Sequence, residues 1–318
     1  MRVSVAAVLI VGASAAPGTA LAEYPEKPIT ILVGNGAGSV GDQIARGFAE
    51  AAKKHLRQSL VVVNRPGVSG TLAISEALGA RPDGYTLGLG TVGILTVQPH
   101  RTKLPYGGPE TYVPVANLVT FHNLLMVRAG APWTTALQFL DYVRAHPGGV
   151  SIGVPGLATV AHLNVEQLKR LASVDLKVVE FDGPQQVLAA LLGQVDAAVA
   201  GPGPIMPHVK AGKAVALGVF DEHRLPLSPD VPTFKELGFD VTLGSIQGII
   251  APRGTPAPVV KALDEAIRKA VTEASFVSLA EETQNTIDYK GPEAFAAELG
   301  QSFEKNGDLI RAMGLKKE

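Results

Sequence analysis

Apolar runs and amphipathic stretches alternate along most of this chain. Ile29–Val33 is continuously apolar, and from about Gly41 the positions Ile44, Ala45, Phe48 and Ala52 share one face while Asp42, Arg46, Glu50 and Lys53 take the other. That spacing predicts a helix with one wet side. A second apolar run at 60–63 is closed by Asn64-Arg65-Pro66-Gly67, a helical stretch follows at 71–79, and the turn Pro82-Asp83-Gly84 launches a third run at 85–89. The order is βαβαβ. Strands that are apolar throughout, rather than alternating, imply a parallel sheet covered on both faces.

A second block of the same kind begins later, with helices at 134–144, 159–171 and 184–192 and strands at 150–154, 176–179 and 195–200. Two extended apolar stretches, 113–127 and 245–251, lie on either side of it and read as paired hinge strands that carry the chain across and back. The helices at 256–273 and 292–313 then pack on the first lobe. The expected fold is α/β with two lobes and two hinge strands: a discontinuous lobe 1 over 23–118 and 249–318, and lobe 2 over 119–248. A chain of 318 residues gives each lobe room for its own core.

The first 22 residues read as an export signal. Arg2 precedes an apolar stretch at 3–11, Pro17-Gly18 breaks it, and Ala20-Leu21-Ala22 precedes Glu23, so cleavage is expected after Ala22. The apolar core is too short for the roughly 20 residues that span a bilayer. Composition narrows the function. A net charge of -1 offers no field for a polyanion, so no nucleic acid partner is expected. With no cysteine, and seven histidines lacking metal-type spacing, neither a metal nor another cofactor is expected.

The loop after the first strand carries the candidate chemistry. Gly36-x-Gly38-x-x-Gly41 matches a dinucleotide fingerprint, but the second strand ends in Asn64 where a ribose-binding acid belongs. Ala37-Gly38-Ser39-Val40-Gly41 matches a nucleophile elbow, which would make Ser39 the nucleophile of a secreted hydrolase. A third reading asks only that the helix tip, cleared by glycines, offer its amides to a carboxylate. The plainest is a tight turn in which Asp42 compensates the helix dipole.

Many separated motifs in one order resemble the Bug receptors, the periplasmic solute-binding components of tripartite tricarboxylate transporters. They include Tyr24-Pro25-Glu26-Lys27-Pro28-Ile29, Val63-Asn64-Arg65-Pro66-Gly67 with Gly70, Pro82-Asp83-Gly84-Tyr85-Thr86-Leu87 and Leu104-Pro105-Tyr106. Further along come Gly156-x-x-Thr159-x-x-His162-Leu163, Leu191-Leu192-Gly193-Gln194-Val195-Asp196, Pro207-His208-x-Lys210-Ala211-Gly212-Lys213, Asp230-Val231-Pro232-Thr233 and Ala251-Pro252-x-Gly254-Thr255-Pro256. The resemblance implies a type II periplasmic binding fold that closes on a small organic carboxylate and serves membrane permease subunits. It implies a periplasmic receptor without catalytic residues, expected to act as a monomer.

By that resemblance one carboxylate is gripped by two facing loops through main-chain amides and water. The first loop contributes Asn35, Gly36, Ala37, Gly38, Ser39 and Asp42, and the second Val154, Pro155, Gly156, Thr159 and His162. Thr91 and Val92 follow the third strand and line the same cleft. The pattern departs from the family in four places. The usual Pro-Phe-Pro-Pro-Gly-Gly is Gly34-Asn35-Gly36-Ala37-Gly38-Ser39, the usual Ser-Ser-Gly is Val154-Pro155-Gly156, Phe181-Asp182-Gly183 stands where Tyr-Lys-Gly is common and puts Asp182 beside the cleft as a further ligand-binding candidate, and Gly201-Pro202-Gly203-Pro204 replaces a more polar stretch. Lost hydroxyls and a proline without N–H point to an acid with an apolar or aromatic body, a dicarboxylate or aromatic acid among the candidates. The rivals are the Ser39 hydrolase and a sensor that feeds a signalling system.

Overall fold

The computed structural model describes residues 24–157, 159–181, 185–226 and 228–315, so the expected leader with its cleavage point, and Asp182, lie outside the described residues. The chain opens as its apolar runs predict: β1 (Ile29–Val33), α1 (Val40–Ala52), β2 (Leu60–Asn64), α2 (Thr71–Leu78) and β3 (Thr86–Thr91). β1 pairs in parallel with both β2 and β3. A π-helical turn (Gly93–Val97) and the short α3 (Gln98–Arg101) follow. The apolar stretch at 113–127 is not one strand but two, β4 (Tyr112–Phe121) and β5 (Leu124–Arg128), parted at His122-Asn123 and assigned to different sheets.

The second block runs α4 (Ala136–Ala145), β6 (Ser151–Val154), α5 (Val160–Ala172), β7 (Lys177–Glu180), α6 (Gln185–Leu191) and β8 (Ala197–Ala200). It then adds α7 (Pro202–Lys210) and β9 (Ala214–Val219). The chain returns through β10 (Ser245–Pro252) into α8 (Ala257–Ala270), α9 (Ala274–Glu282), β11 (Thr286–Lys290) and α10 (Pro292–Ala312). One sheet has the order β11-β4-β10-β3-β1-β2 and the other β7-β6-β8-β5-β9. The two hinge stretches do pair: β10 lies antiparallel to β4 from Ser245 opposite Phe121 to Pro252 opposite Tyr112. Each sheet is therefore mixed, parallel where helices cross over and antiparallel where hinge strands enter.

Each sheet has its own core. Ile31, Leu89, Val119 and Ile249 pack with Phe48 of α1 and Leu263 of α8 against the first sheet. Leu125, Ile152 and Val199 pack with Phe139 of α4 and Leu168 of α5 against the second. The buried face of α1 is the one its sequence marks, Ile44, Ala45 and Phe48.

Two glycines set the shape of the first sheet's upper edge. A Cβ on Gly34, just after β1, would stand 2.5 Å from the carbonyl oxygen of Gly70 and 2.7 Å from its Cα. The obstacle is backbone, which cannot swing aside. Gly34→Ala is therefore expected to lower stability by about 1–3 kcal/mol, the usual cost of overpacking, seen as a lower urea midpoint at unchanged m.

Candidate functional site

The first helix of each block starts with the same device. Ser39 is the N-cap of α1, extended at φ -66° and ψ 159°, and its Oγ accepts from the amide of Asp42 at 3.3 Å. Thr159 is the N-cap of α5, at φ -75° and ψ 162°, and its Oγ1 accepts from the amide of His162 at 3.3 Å. Helix geometry leaves the leading amides without intrahelical partners. The caps satisfy the third in each case. The first two, Val40 and Gly41 in α1 and Val160 and Ala161 in α5, have no partner among the described residues. All four residues line a single cavity of about 360 Å³.

Behind the α1 tip, Asp42 is only 3% exposed. Its carboxylate accepts from the Gly38 amide at 2.9 Å, from Arg46 Nε at 3.1 Å and from Asn64 Nδ2 at 2.9 Å. Burial works against its charged form, but the hydrogen bonds from Arg46, Gly38 and Asn64 outweigh that and hold its carboxyl below the usual range. Asn64 Nδ2 also reaches the carbonyl of Asn35 at 3.0 Å, and Arg46 Nη2 donates to Asn64 Oδ1 at 2.9 Å. The residue that stands where a ribose-binding acid would be needed is thus a staple on the glycine loop. Gly38, at φ +80°, adopts the left-handed turn that brings its amide to Asp42.

His122 sits where the chain crosses between sheets and lines the same cavity. Its Nδ1 is 2.7 Å from Asp221 Oδ2, after β9, and its Nε2 is 2.8 Å from Thr286 Oγ1, at the start of β11. The ring therefore ties one sheet to the other. Burial would raise the Asp221 pKa, yet the hydrogen bond from His122 lowers it overall. Among the described residues no Lys, Arg, Asp or Glu lines the cavity, and His122 is its one titratable lining side chain.

A larger cavity, about 580 Å³, opens on the opposite face of the hinge strands, where Thr120, Ile246, Asp288 and Lys290 line it. It receives neither helix tip. The smaller cavity is the better candidate because it alone among these two gathers residues from both caps and both hinge strands.

The structure brings together Asn35, Ser39, Thr91, Pro155 and Thr159 from the expected set. The others stand elsewhere. Gly36 accepts the Ser39 amide through its carbonyl, Gly38 and Asp42 bond each other behind the tip, and neither they nor Ala37 line the cavity. Val92 turns to the larger cavity, Val154 is fully buried in the core, and the Gly156 carbonyl accepts from Thr159 Oγ1 at 2.9 Å. His162 is 5% exposed, with Nε2 3.7 Å from Glu166 Oε1 on its own helix, and it faces a third cavity. Val40, Gly41, Val160 and Ala161 lie within the two loops that the sequence reading sets facing each other, 35–42 and 154–162, but that reading does not single them out. The signal was present, since a capping Ser or Thr marks a helix start and hence which amides stay free. It also passed over His122, Asn123 and Gln247, which carry no such signal.

A family profile, that of the TctC tripartite tricarboxylate transporter family receptor, matches residues 44–315. Solved structures agree in fold. The chain is 27% identical to the periplasmic binding protein BugD, with 93% of this chain and all of that one covered at a TM-score of 0.77. It is 25% identical to an R. palustris protein solved with adipate, over 92% of this chain and 99% of the other at a TM-score of 0.80. It is 28% identical to MatC of Rhodopseudomonas palustris, solved with bound malate, over 90% and 100% at a TM-score of 0.76.

Proposed function

Because the chain belongs to the tripartite tricarboxylate transporter receptor family, we propose that it is a periplasmic receptor that holds one carboxylate of a small organic acid between two lobes and presents it to a membrane permease. The observation that carries this reading is the pair of free helix tips, Val40-Gly41 and Val160-Ala161, lining one cavity. The relatives solved with adipate and malate support a carboxylate as the ligand class.

The physics favours one anionic head. Each helix N-terminus carries roughly half a positive charge, so two tips match about one carboxylate, and no cationic side chain among the described lining residues would neutralise a second. Main-chain amides facing an ionised acceptor contribute about 1.5–3 kcal/mol each. Asn35, Ser39, Thr91, Pro155 and Thr159 supply the wall, while Asp42 and Asn64 hold the first loop in shape. No covalent step is needed: Ser39 acts as a cap, and ligand that bridges both tips favours the closed arrangement through its differential contacts. On this reading the lobes divide between the two sheets, at His122-Asn123 and ahead of Ser245.

The test is thermal unfolding of the mature protein with hexanoate, benzoate, adipate, malate and citrate. A ligand at a hundredfold excess over its Kd stabilises by about 2.7 kcal/mol, and hexanoate, benzoate or adipate is expected to do so. Stabilisation by malate or citrate alone would refute the apolar body, and stabilisation by none of the five would refute the carboxylate reading.

A further inference from the structure

We infer that Gln247, on the hinge strand β10, is a third donor to the ligand's carboxylate, reaching it from the strand that joins the lobes rather than from either loop. The inference rests on the carboxylate reading and adds a residue to its site.

Gln247 is 4% exposed and lines the cavity with the two helix tips. Its Oε1 is buried without any partner, and its Nε2 has none among the described residues. A carboxamide buried in the middle of a sheet with both ends unmatched costs stability unless something else completes it. Among the described residues no acceptor meets its Nε2, the end that a carboxylate oxygen can complete. Its position says what would: a Cβ on Gly41 would lie 3.0 Å from Gln247 Nε2 and 2.8 Å from Asn35 Oδ1. The Nε2 donor therefore stands beside the second free amide of α1. Two adjacent donors converging on one small space suit the paired oxygens of a carboxylate.

The backbone explains how a hinge residue comes to face the ligand. Gln247 pairs with Thr91 on β3 and Val119 on β4, and the next residue, Gly248, pairs with Asn117, so Leu118 is the extra residue of a bulge. The extra residue lies on β4, so β10 keeps its two-residue alternation and its successive side chains point to opposite faces. Here Ile246 lines the large cavity and Gln247 the smaller one. A donor at this place differs in consequence from one on a loop, because a carboxylate held by α1, α5 and β10 together is tied to the strand about which the lobes move.

The experiment compares wild type with Gln247→Leu and Gln247→Met by calorimetric titration with hexanoate, benzoate and adipate, and measures the unliganded Tm of each protein. Both variants fill the space and remove the carboxamide, so affinity for every acid that wild type binds is expected to fall roughly tenfold, with an unliganded Tm unchanged or higher. Equal affinity in wild type and variants overturns the inference and leaves the carboxylate reading standing. A lowered unliganded Tm with unchanged affinity assigns Gln247 a structural role and likewise overturns it. If wild type binds none of the three acids, the same comparison is made with malate and citrate, and binding of none of the five fails the carboxylate reading and takes the inference with it. Should neither variant fold, the assigned side-chain NH2 resonances of Gln247 in wild type must shift when the bound acid is added, and their indifference overturns the proposal.

Discussion

Gly41→Val is expected to weaken carboxylate binding by more than about 100-fold while leaving the protein folded. Gly41 contributes the second free amide of α1, and a Cβ there would press on Asn35 Oδ1 at 2.8 Å and Gln247 Nε2 at 3.0 Å. Both obstacles are the far ends of flexible side chains. They can move, so the fold survives; the branched side chain then occupies the space over the helix tip. Losing two charge-assisted bonds at about 1.5–3 kcal/mol each exceeds the roughly 2.8 kcal/mol that corresponds to 100-fold. Calorimetric titration with whichever acid stabilises wild type measures the loss, and circular dichroism checks the fold. A variant that binds as well as wild type would remove the α1 tip from the site.

The second large effect falls on stability. Asp42→Ala is expected to destabilise the protein by about 2–4 kcal/mol, because it leaves the Gly38 amide, the Asn64 carboxamide and the Arg46 guanidinium without their common acceptor. The pH dependence follows from the direction of the Asp42 shift. Its folded carboxyl titrates below its unfolded value, so the contribution is complete above the ordinary carboxylate range near about pH 4 and is lost as pH falls through the lower folded value. Wild-type stability should thus drop in acid more steeply than that of Asp42→Ala, as read from urea midpoints between pH 7 and the acid limit. Parallel curves would show that Asp42 does not hold the loop through its charge. The same loop shapes the α1 tip, and weaker ligand binding should accompany the lost stability.

Much of the scaffold was legible in residue order. The 3.6-residue spacing of Ile44, Ala45 and Phe48 marked the buried face of α1, and the apolar runs marked β1, β2 and β3. Elements with weaker periodicity escaped. β11 is half-buried along its whole length and its Thr-Ile-Asp-Tyr-Lys pattern resembles an exposed loop, while α7 begins with Pro-Gly-Pro, a combination that usually signals a turn. In the stretch 113–127, apolar character persists through β4 and β5 because both are buried, so composition does not betray the crossing at His122. The site divided in the same way. Ser39 and Thr159 were readable as polar residues ahead of helical periodicity, whereas Val92 and Val154 were expected in the cleft on motif position alone and face elsewhere.

Local order by itself determined the alternation of strand and helix and the two capped helix starts, because periodicity, capping and turn chemistry act between residues a few positions apart, and the separated motifs carried the resemblance to the family. Only the folded chain decided which amides share a cavity, which side of the hinge strands lines it and where Asn64 spends its hydrogen bonds. Those depend on contacts between residues distant in sequence and on a bulge that interrupts the two-residue alternation of β4 opposite Gln247. Alternation along a strand names two faces, and packing alone assigns one of them to the cavity.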